Sequence, residues 1–285
     1  MDRTLVIILA AILAIAGTRS SCIADPRATV ISEDTLADEV NDPLSKLTQI
    51  QVKDIYTPAE YGTNAQLNTL QFRSVFAVRS YSLMPLEQLV RPTIQVVTVP
   101  RNGRTASTTT ALDDIQLLDL FRIPFPDMRK TGFLWGVGPY FVFPTSTSQF
   151  TGKGAWQIGP AWAFSWKLDR LRVAGLFQQT TSFAYTSSHS VSVASMQIQP
   201  IITYDLGRGW YLKSTDATWK INMRHKTSTE IPLSAGLGKV WNIGESSAIS
   251  AAVSGEWMVY RQFDPQTEQF TLNFQISLLL PQLFL

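Results

Sequence analysis

Few side chains in this chain are of the types that carry nucleophilic or metal chemistry. Its 285 residues include two histidines and one cysteine. His189 lies in a run of small polar residues, 187–190, that predicts an exposed loop, and no serine motif with a strand-turn context accompanies it. Two histidines far apart in sequence do not make a closed metal site without further ligands. The sequence therefore predicts no enzyme activity, no metal and no other cofactor.

A second set of polar side chains alternates with apolar residues along short runs, so that they share one face of each run. Positive charges outnumber negative ones in this set, and a water-filled interior with such a lining would favour anions. The alternative is that these arginines pair with carboxylates and carbonyls and only fill the interior. The candidate lining residues are Arg73, Arg79, Arg91, Asp114, Arg172, Gln197, Gln199, Lys220, Arg224 and Glu256.

The runs that must position these side chains have the two-residue period of β-strands. In the last of them, the apolar residues Phe270, Leu272 and Phe274 alternate with Thr271 and Asn273. Clusters of Gly, Pro, Asn, Asp and Ser separate the runs, which is typical of antiparallel strands. We predict about twelve strands, at 49–56, 70–79, 90–99, 115–123, 133–143, 155–166, 171–181, 193–206, 210–223, 231–241, 248–260 and 270–280.

The apolar faces of the runs end in aromatic residues, which favours a membrane barrel over a soluble exported sandwich. Charged residues make up only 16% of the chain and its mean hydropathy is +0.04, as expected when polar interior residues alternate with lipid-facing ones. We therefore predict an all-β, transmembrane, antiparallel up-and-down β-barrel of about twelve strands. The tryptophans expected at the membrane interface are Trp135, Trp156, Trp166, Trp210, Trp241 and Trp257.

The first residues have the pattern of a secretory leader. An apolar run of about twelve residues, 5–16, follows Arg3 and is too short to span a membrane, although an uncleaved anchor is an alternative. Cys22 raises the further alternative of lipidation. The predicted domains are a cleaved signal peptide at 1–24, a periplasmic extension or plug at 25–46, and the barrel at 47–285. This organisation predicts the outer membrane of a Gram-negative-type bacterium.

Five short motifs, in order, resemble one family of bacterial outer-membrane proteins. They lie at 118–126, 136–145, 156–160, 209–213 and 232–240. The family is assigned to transport in the phenol-degradation meta-pathway, and some of its members have been mislabelled neuromedin U. The likeness extends over 41–281, nearly the whole mature chain. Two departures are the loosened glycine pattern at 234–238 and the continuation of the chain past Pro281.

These features together predict a passive channel or transporter for small molecules, since no nucleotide-binding loop is present. The resemblance implies aromatic or apolar solutes. The alternative is a closed structural or surface-interaction barrel, whose polar connections at 102–112, 145–154, 185–192 and 225–230 would face outside. The expected partners are outer-membrane lipids, the barrel assembly machinery and a small-molecule solute. No basic run indicates nucleic acid, and the oligomeric state stays open.

Overall fold

The computed structural model describes residues 32–63, 65–80, 85–101, 108–124, 131–186, 190–224, 228–243, 247–262, 267–281 and 283. The predicted signal peptide, Cys22, His189 and His225 lie outside these ranges. Within them, no helix is long and apolar enough to cross a membrane.

A short helix precedes fourteen strands in the described residues. The helix is α1 (Glu33–Glu39), and the strands are β1 (Thr48–Glu60), β2 (Leu67–Val78), β3 (Gln88–Pro100), β4 (Thr108–Leu112), β5 (Ile115–Arg122), β6 (Phe133–Phe143), β7 (Ala155–Leu168), β8 (Leu171–Tyr185), β9 (Ala194–Gly207), β10 (Trp210–Ser214), β11 (Trp219–Asn222), β12 (Ser228–Ile243), β13 (Ser247–Gln262) and β14 (Glu268–Leu280).

The fourteen strands make a closed antiparallel barrel of twelve staves. β4 and β5 both pair with β3 and form one interrupted stave, and β10 and β11 both bridge β9 and β12 and form another. Every other neighbour pair is sequential, and β14 returns to pair with β1. Closure pairs both sides of every stave in the described residues except at β4, which pairs with β3 alone. The predicted all-β, antiparallel, twelve-strand barrel is confirmed, and the predicted run at 210–223 is corrected to two strands.

The two ends of the barrel differ in their connections. The start of β1 and the end of β14 lie side by side, with Thr48 opposite Leu280. We call this the terminal end and the opposite one the loop end. All four connections predicted to face outside fall at the loop end, but two of them are shorter than expected. Strand β4 (Thr108–Leu112) occupies part of 102–112, and β12 already begins at Ser228.

Inner and outer faces alternate along each stave as the sequence predicts. In β7 the side chains of Trp156, Trp162 and Trp166 are exposed, while Ala163 and Ser165 are fully buried. The exposed apolar residues lie on the outside, and the buried core lies in the interior. In a soluble protein the large apolar side chains would form the interior. Here they cover the outside, as in a barrel whose outer face contacts hydrocarbon.

Prolines inside the staves do not generally mark bulges. Pro139 of β6 lies directly opposite Pro160 of β7 in a pairing without a register shift. The neighbouring ladder on the far side of each proline skips two pairs, so neither missing N–H interrupts a formed ladder. Pro232 does adjoin a register shift.

Gly138 and Gly159, which precede Pro139 and Pro160, allow a close approach of neighbouring backbones. A Cβ on Gly138 would lie 1.7 Å from the carbonyl oxygen of Asp119, and one on Gly159 would lie 1.9 Å from that of Gln179. No side chain fits at such distances. The two Gly-Pro pairs therefore let the backbone of β5 lie close to that of β6, and the backbone of β8 lie close to that of β7.

Candidate functional site

The barrel interior contains a stretch of chain that comes before the first stave. We call residues 32–47 the N-terminal segment. Its helix α1 contacts β9, β10 and β12 from inside. The apolar side chains of the segment are buried in one cluster with wall residues near the terminal end, which comprises Leu36, Ala37, Val40, Leu47, Tyr211, Val240, Ala248 and Leu279.

The start of α1 is fixed to the barrel wall through its acidic first turn. Ser32 caps the helix, since its Oγ accepts a hydrogen bond from the amide of Thr35. The carboxylate of Asp34 accepts from the amide of Gly209, at 2.6 Å, and that of Glu33 from the amide of Asn242, at 3.1 Å. The turn between β9 and β10 and the end of β12 thus hold the helix in place.

The residues after α1 cross to the opposite wall of the interior. Leu44 is fully buried there in a second apolar cluster that includes Leu89, Leu118 and Leu120. A Cβ on Gly136 would meet the Leu44 side chain at 3.0 Å, so the small residue makes room for it. With α1 on one wall and Leu44 on the other, the N-terminal segment spans the terminal half of the interior.

A buried ion cluster joins the segment to β7 and β8. The guanidinium of Arg172 donates to both carboxylate oxygens of Asp38, to Asp42 at 2.5 Å and to Ser165 at 2.9 Å. Lys167 adds a second cation to Asp38, at 2.7 Å. Such charge-assisted bidentate pairing is the strongest type of polar contact in proteins. Arg172 therefore fastens the segment rather than lining an open pore.

The two ionisable neighbours in α1 respond oppositely to this environment. Burial favours the neutral form of Asp38, but the hydrogen bonds and charges of Arg172 and Lys167 outweigh it and hold the pKa of Asp38 below its ordinary value. Burial instead raises the pKa of Glu39, whose strongest opposing contact is a hydrogen bond from Ser45 Oγ at 2.9 Å. The charged form of Glu39 is thus the less favourable one in the docked segment.

A second ion cluster projects from the interrupted stave formed by β10 and β11. Between β10 and β11, Asp216 is buried and lies 2.7 Å from Lys53 and 3.0 Å from Lys213. Ser254 also donates to its carboxylate. One carboxylate therefore neutralises part of the charge of two buried lysines that come from separate staves, β1 and β10.

Arg73 and Arg91 have no such partner. Both lie on inward positions of β2 and β3, and Arg73 is level with Gln51 on β1. Their Nε atoms are buried without a hydrogen-bond partner, and no salt bridge or side-chain hydrogen bond joins either to another described residue. The charged group with the largest electrostatic effect on Arg91 is Arg73, which carries the same sign of charge. A pair of uncompensated cations in a polar interior attracts anions.

These arginines line a cavity in the middle of the interior. Its volume is about 70 Å³. Asn41, Asp42 and Pro43 of the N-terminal segment form one side. The rest of the lining combines polar residues with an apolar strip and includes Gln49, Gln51, Lys53, Arg73, Val75, Leu89, Arg91, Leu118, Leu120, Gln199, Ile201, Thr215, Asp216 and Gln275.

Of the predicted lining residues, three border this cavity: Arg73, Arg91 and Gln199. Gln199 is held by a bond of 2.5 Å to the carbonyl of Thr215. Gln197 and Lys220 are Cα partners near the loop end, where Lys220 is half exposed and faces Glu230 at 3.7 Å and Glu268 at 3.8 Å. Glu256 stands opposite Ser234 and Thr271 on the inner face, outside the cavity lining.

Three predicted lining residues lie elsewhere. Arg79 and Arg224 follow the ends of their strands and are exposed, because β2 stops at Val78 and β11 stops at Asn222. Asp114 is buried, but its carboxylate accepts from the amides of Ser146 and Lys153 and anchors the 144–154 connection. All three lie outside the strands, where strand alternation does not set the direction of a side chain.

Sequence reasoning did not identify the interior partners Lys53, Asp38, Asp42, Lys213 and Asp216. Lys53 and Lys213 alternate correctly for inward positions, so strand periodicity was a usable signal for them. Asp38 and Asp42 precede the periodic region, and Asp216 lies in a break between strands. No periodic pattern marks these three carboxylates.

All six tryptophans predicted at the membrane interface are exposed on the outer face, by 38–48%. Trp135, Trp166, Trp210 and Trp241 lie near the terminal end, and Lys239 stands over the last two rings at 5.0 and 5.5 Å. Trp156 and Trp257 lie toward the loop end, where Trp156 packs edge-on against Phe143 at 5.7 Å. The rings therefore form two levels on the barrel.

Two comparisons found no relative by sequence: neither a family profile nor a curated protein matches the chain. Solved structures do match. An outer-membrane channel from Pseudomonas putida F1 is 13% identical with a TM-score of 0.59, over 90% of this chain and 100% of that one. The porin NanC is 10% identical over 81% and 98% of the two chains, with a TM-score of 0.46. Outer membrane phospholipase A from Escherichia coli is 10% identical over 90% and 98%, with a TM-score of 0.37. At such low identity, the first of these matches shows that this chain has the fold of an outer-membrane β-barrel.

Proposed function

We propose that this protein is an outer-membrane channel through which small molecules pass down their concentration gradient. The observation that carries the proposal is the combination of a closed barrel with an apolar, aromatic-edged outer face and a charged, hydrogen-bonding interior that encloses a cavity. Barrels of this construction satisfy every backbone group internally and can span a lipid bilayer. The similar Pseudomonas structure is described as an outer-membrane channel.

The N-terminal segment is the plug of this channel in our proposal. It buries apolar side chains against both walls and pairs Asp38 and Asp42 with Arg172. A passage of solute requires this segment to move or to leave a path beside it.

The sequence resemblance implies aromatic or apolar compounds of a degradation pathway as solutes, and this solute class is part of the proposal. The fold alone does not indicate it. Export with cleavage after residue 24 and assembly by the barrel machinery belong to it as well. The aromatic levels at the two ends fit a bilayer between them, with the terminal end toward the periplasm.

Single-channel conductance of the refolded mature chain, from Asp25 onward, tests the proposal. Steady openings in a planar bilayer are expected, and deletion of residues 25–46 is expected to raise the conductance. Heat-modifiable migration on a gel must first show that each protein is folded. Folded barrels that stay silent with and without the segment would contradict a channel role.

A closed structural or surface-interaction barrel is the second candidate. The small central cavity and the two-walled docking of the N-terminal segment favour it. It predicts silence in the bilayer and unchanged swelling of proteoliposomes in sugar solutions. The channel predicts faster swelling.

A further inference from the structure

We propose that Arg73 and Arg91 form a binding site for a small carboxylate anion in the central cavity. The inference rests on the proposed channel function for its physiological use, but the site itself is argued from the contacts of the two arginines.

The first step is that neither arginine has a bonded carboxylate among the described residues. The other buried cations near the cavity are satisfied: Lys53 and Lys213 by Asp216, and Arg172 by Asp38 and Asp42. Asp216 attracts Arg73 electrostatically, yet its hydrogen bonds go to the lysines and Ser254. Two buried guanidinium groups without a bonded anion are costly, and a bound anion offsets that cost.

The second step is the geometry of the donor groups. A guanidinium presents its N–H groups in a planar fork that matches the two oxygens of a carboxylate. Arg73 and Arg91 come from adjacent strands and face the same cavity, so both forks can reach one ligand. Gln51, the Cα partner of Arg73, adds an amide to the same wall.

The third step is the size and polarity of the space. A cavity of about 70 Å³ has room for about five water molecules, which suits an anion of a few heavy atoms. On the side of Arg91 the wall is apolar, since Leu118 is its Cα partner and Leu89 lies two residues before it on the same face. A carboxylate with a short apolar body fits this combination better than a fully hydrated phosphate does.

The experiment uses acetate as the probe and the full mature chain. Equilibrium binding of carbon-13 acetate to the folded, detergent-solubilised barrel is measured by NMR line broadening, which does not require an open pore. Current in chloride is then measured with increasing acetate. We expect saturable acetate binding and a matching saturable reduction of chloride current.

The variants separate the fork from the charge. Arg73→Lys and Arg91→Lys keep the charge, and each is expected to weaken acetate binding about tenfold, whereas Arg91→Gln in an Arg73→Gln background abolishes it. Arg122→Gln is the matched control, because Arg122 is an inner-wall arginine paired with Glu87 away from the cavity, and its acetate binding is expected to be unchanged. Circular dichroism and heat-modifiable migration confirm folding of each variant.

The outcomes distinguish the two proposals. Arginine-dependent acetate binding by a barrel that never conducts keeps the site and contradicts the channel. Conduction with acetate binding unaffected in the double glutamine variant overturns the site and leaves the channel. Saturable binding of inorganic phosphate in preference to acetate overturns the carboxylate assignment.

Discussion

The Nη1 atom of Arg172 lies 2.5 Å from the Oδ2 atom of Asp42, and this contact joins a barrel strand to the segment that fills the terminal half of the interior. Both side chains are buried, with exposed fractions of 6% and 2%. Breaking a buried pair by removing one partner is strongly destabilising, because it leaves the other charge uncompensated. The position of the N-terminal segment should therefore depend on Arg172.

Arg172→Gln is expected to release the N-terminal segment and to raise the mean conductance severalfold, since Asp38 and Asp42 lose their common partner. The barrel itself should stay folded, because its twelve staves do not require the contact. Single-channel recording gives the conductance, and limited proteolysis near residues 38–42 reports the release. Arg170→Gln serves as the control, because Arg170 is exposed in the turn between β7 and β8. Equal conductance and equal proteolysis for both variants would refute the role of Arg172.

Leu44→Ala should loosen the segment at the opposite wall. Leu44 is fully buried among Leu89, Leu118 and Leu120, and truncation of such a side chain costs about 2–5 kcal/mol of packing. We expect longer or more frequent openings without a change in the melting temperature of the barrel. Ile50→Ala is the comparison, because Ile50 is 40% exposed on the outer face. If Leu44→Ala and Ile50→Ala gave the same currents as the native chain, Leu44 would have no part in occlusion.

Gly138→Ala should prevent normal barrel closure. The added Cβ would lie 1.7 Å from the carbonyl oxygen of Asp119, and β5 cannot move away without breaking its pairing with β3, where Asp119 lies opposite Val90. We expect a loss of at least about 3 kcal/mol and little heat-modifiable protein. Gly207→Ala meets no atom within 4 Å and pays only for its φ of +84°, about 1 kcal/mol. A Gly138→Ala barrel as stable as Gly207→Ala would contradict the close approach.

Asp113 makes the loop end sensitive to pH. Burial, opposed in part by the hydrogen bond from the Asp114 amide, raises the pKa of Asp113 to about 6. The folded protein therefore holds a proton there that the unfolded chain, with a pKa near 3.8, releases. Stability from this group is present below about pH 4, declines as the pH rises to about 6, and is absent above it.

Asp113→Asn should accordingly stabilise the 144–154 connection at pH 8, by about 1 kcal/mol, and have no such effect at pH 4. The substitution keeps the oxygen that accepts from the Asp114 amide, at 2.7 Å. Asp114→Ala should destabilise the connection at pH 8, because the amides of Ser146 and Lys153 lose their acceptor. Hydrogen exchange of the loop amides measures both effects. If Asp113→Asn slowed the exchange, compared with the native chain, more at pH 4 than at pH 8, the prediction would be wrong.

The outline of the barrel follows from local sequence patterns. The two-residue alternation in stretches such as 133–143 predicts the strand and its lipid-facing side, and β6 has these same bounds. The strand number is predictable because each run carries its own alternation and turn residues. Arg79 and Arg224 show the limit of this reasoning, since alternation says nothing about where a strand stops.

Within a strand, the sequence by itself determined which side chains point inward, because that depends only on the position along the alternation. Only the tertiary structure decided what each inward charge meets. Arg172, Arg73 and Arg91 have the same alternation, yet Arg172 pairs with Asp38 and Asp42 while the other two have no bonded carboxylate. The difference arises from the path of residues 32–47 through the interior. This segment has no sequence periodicity, so the shape and charge of the closed barrel decide its path.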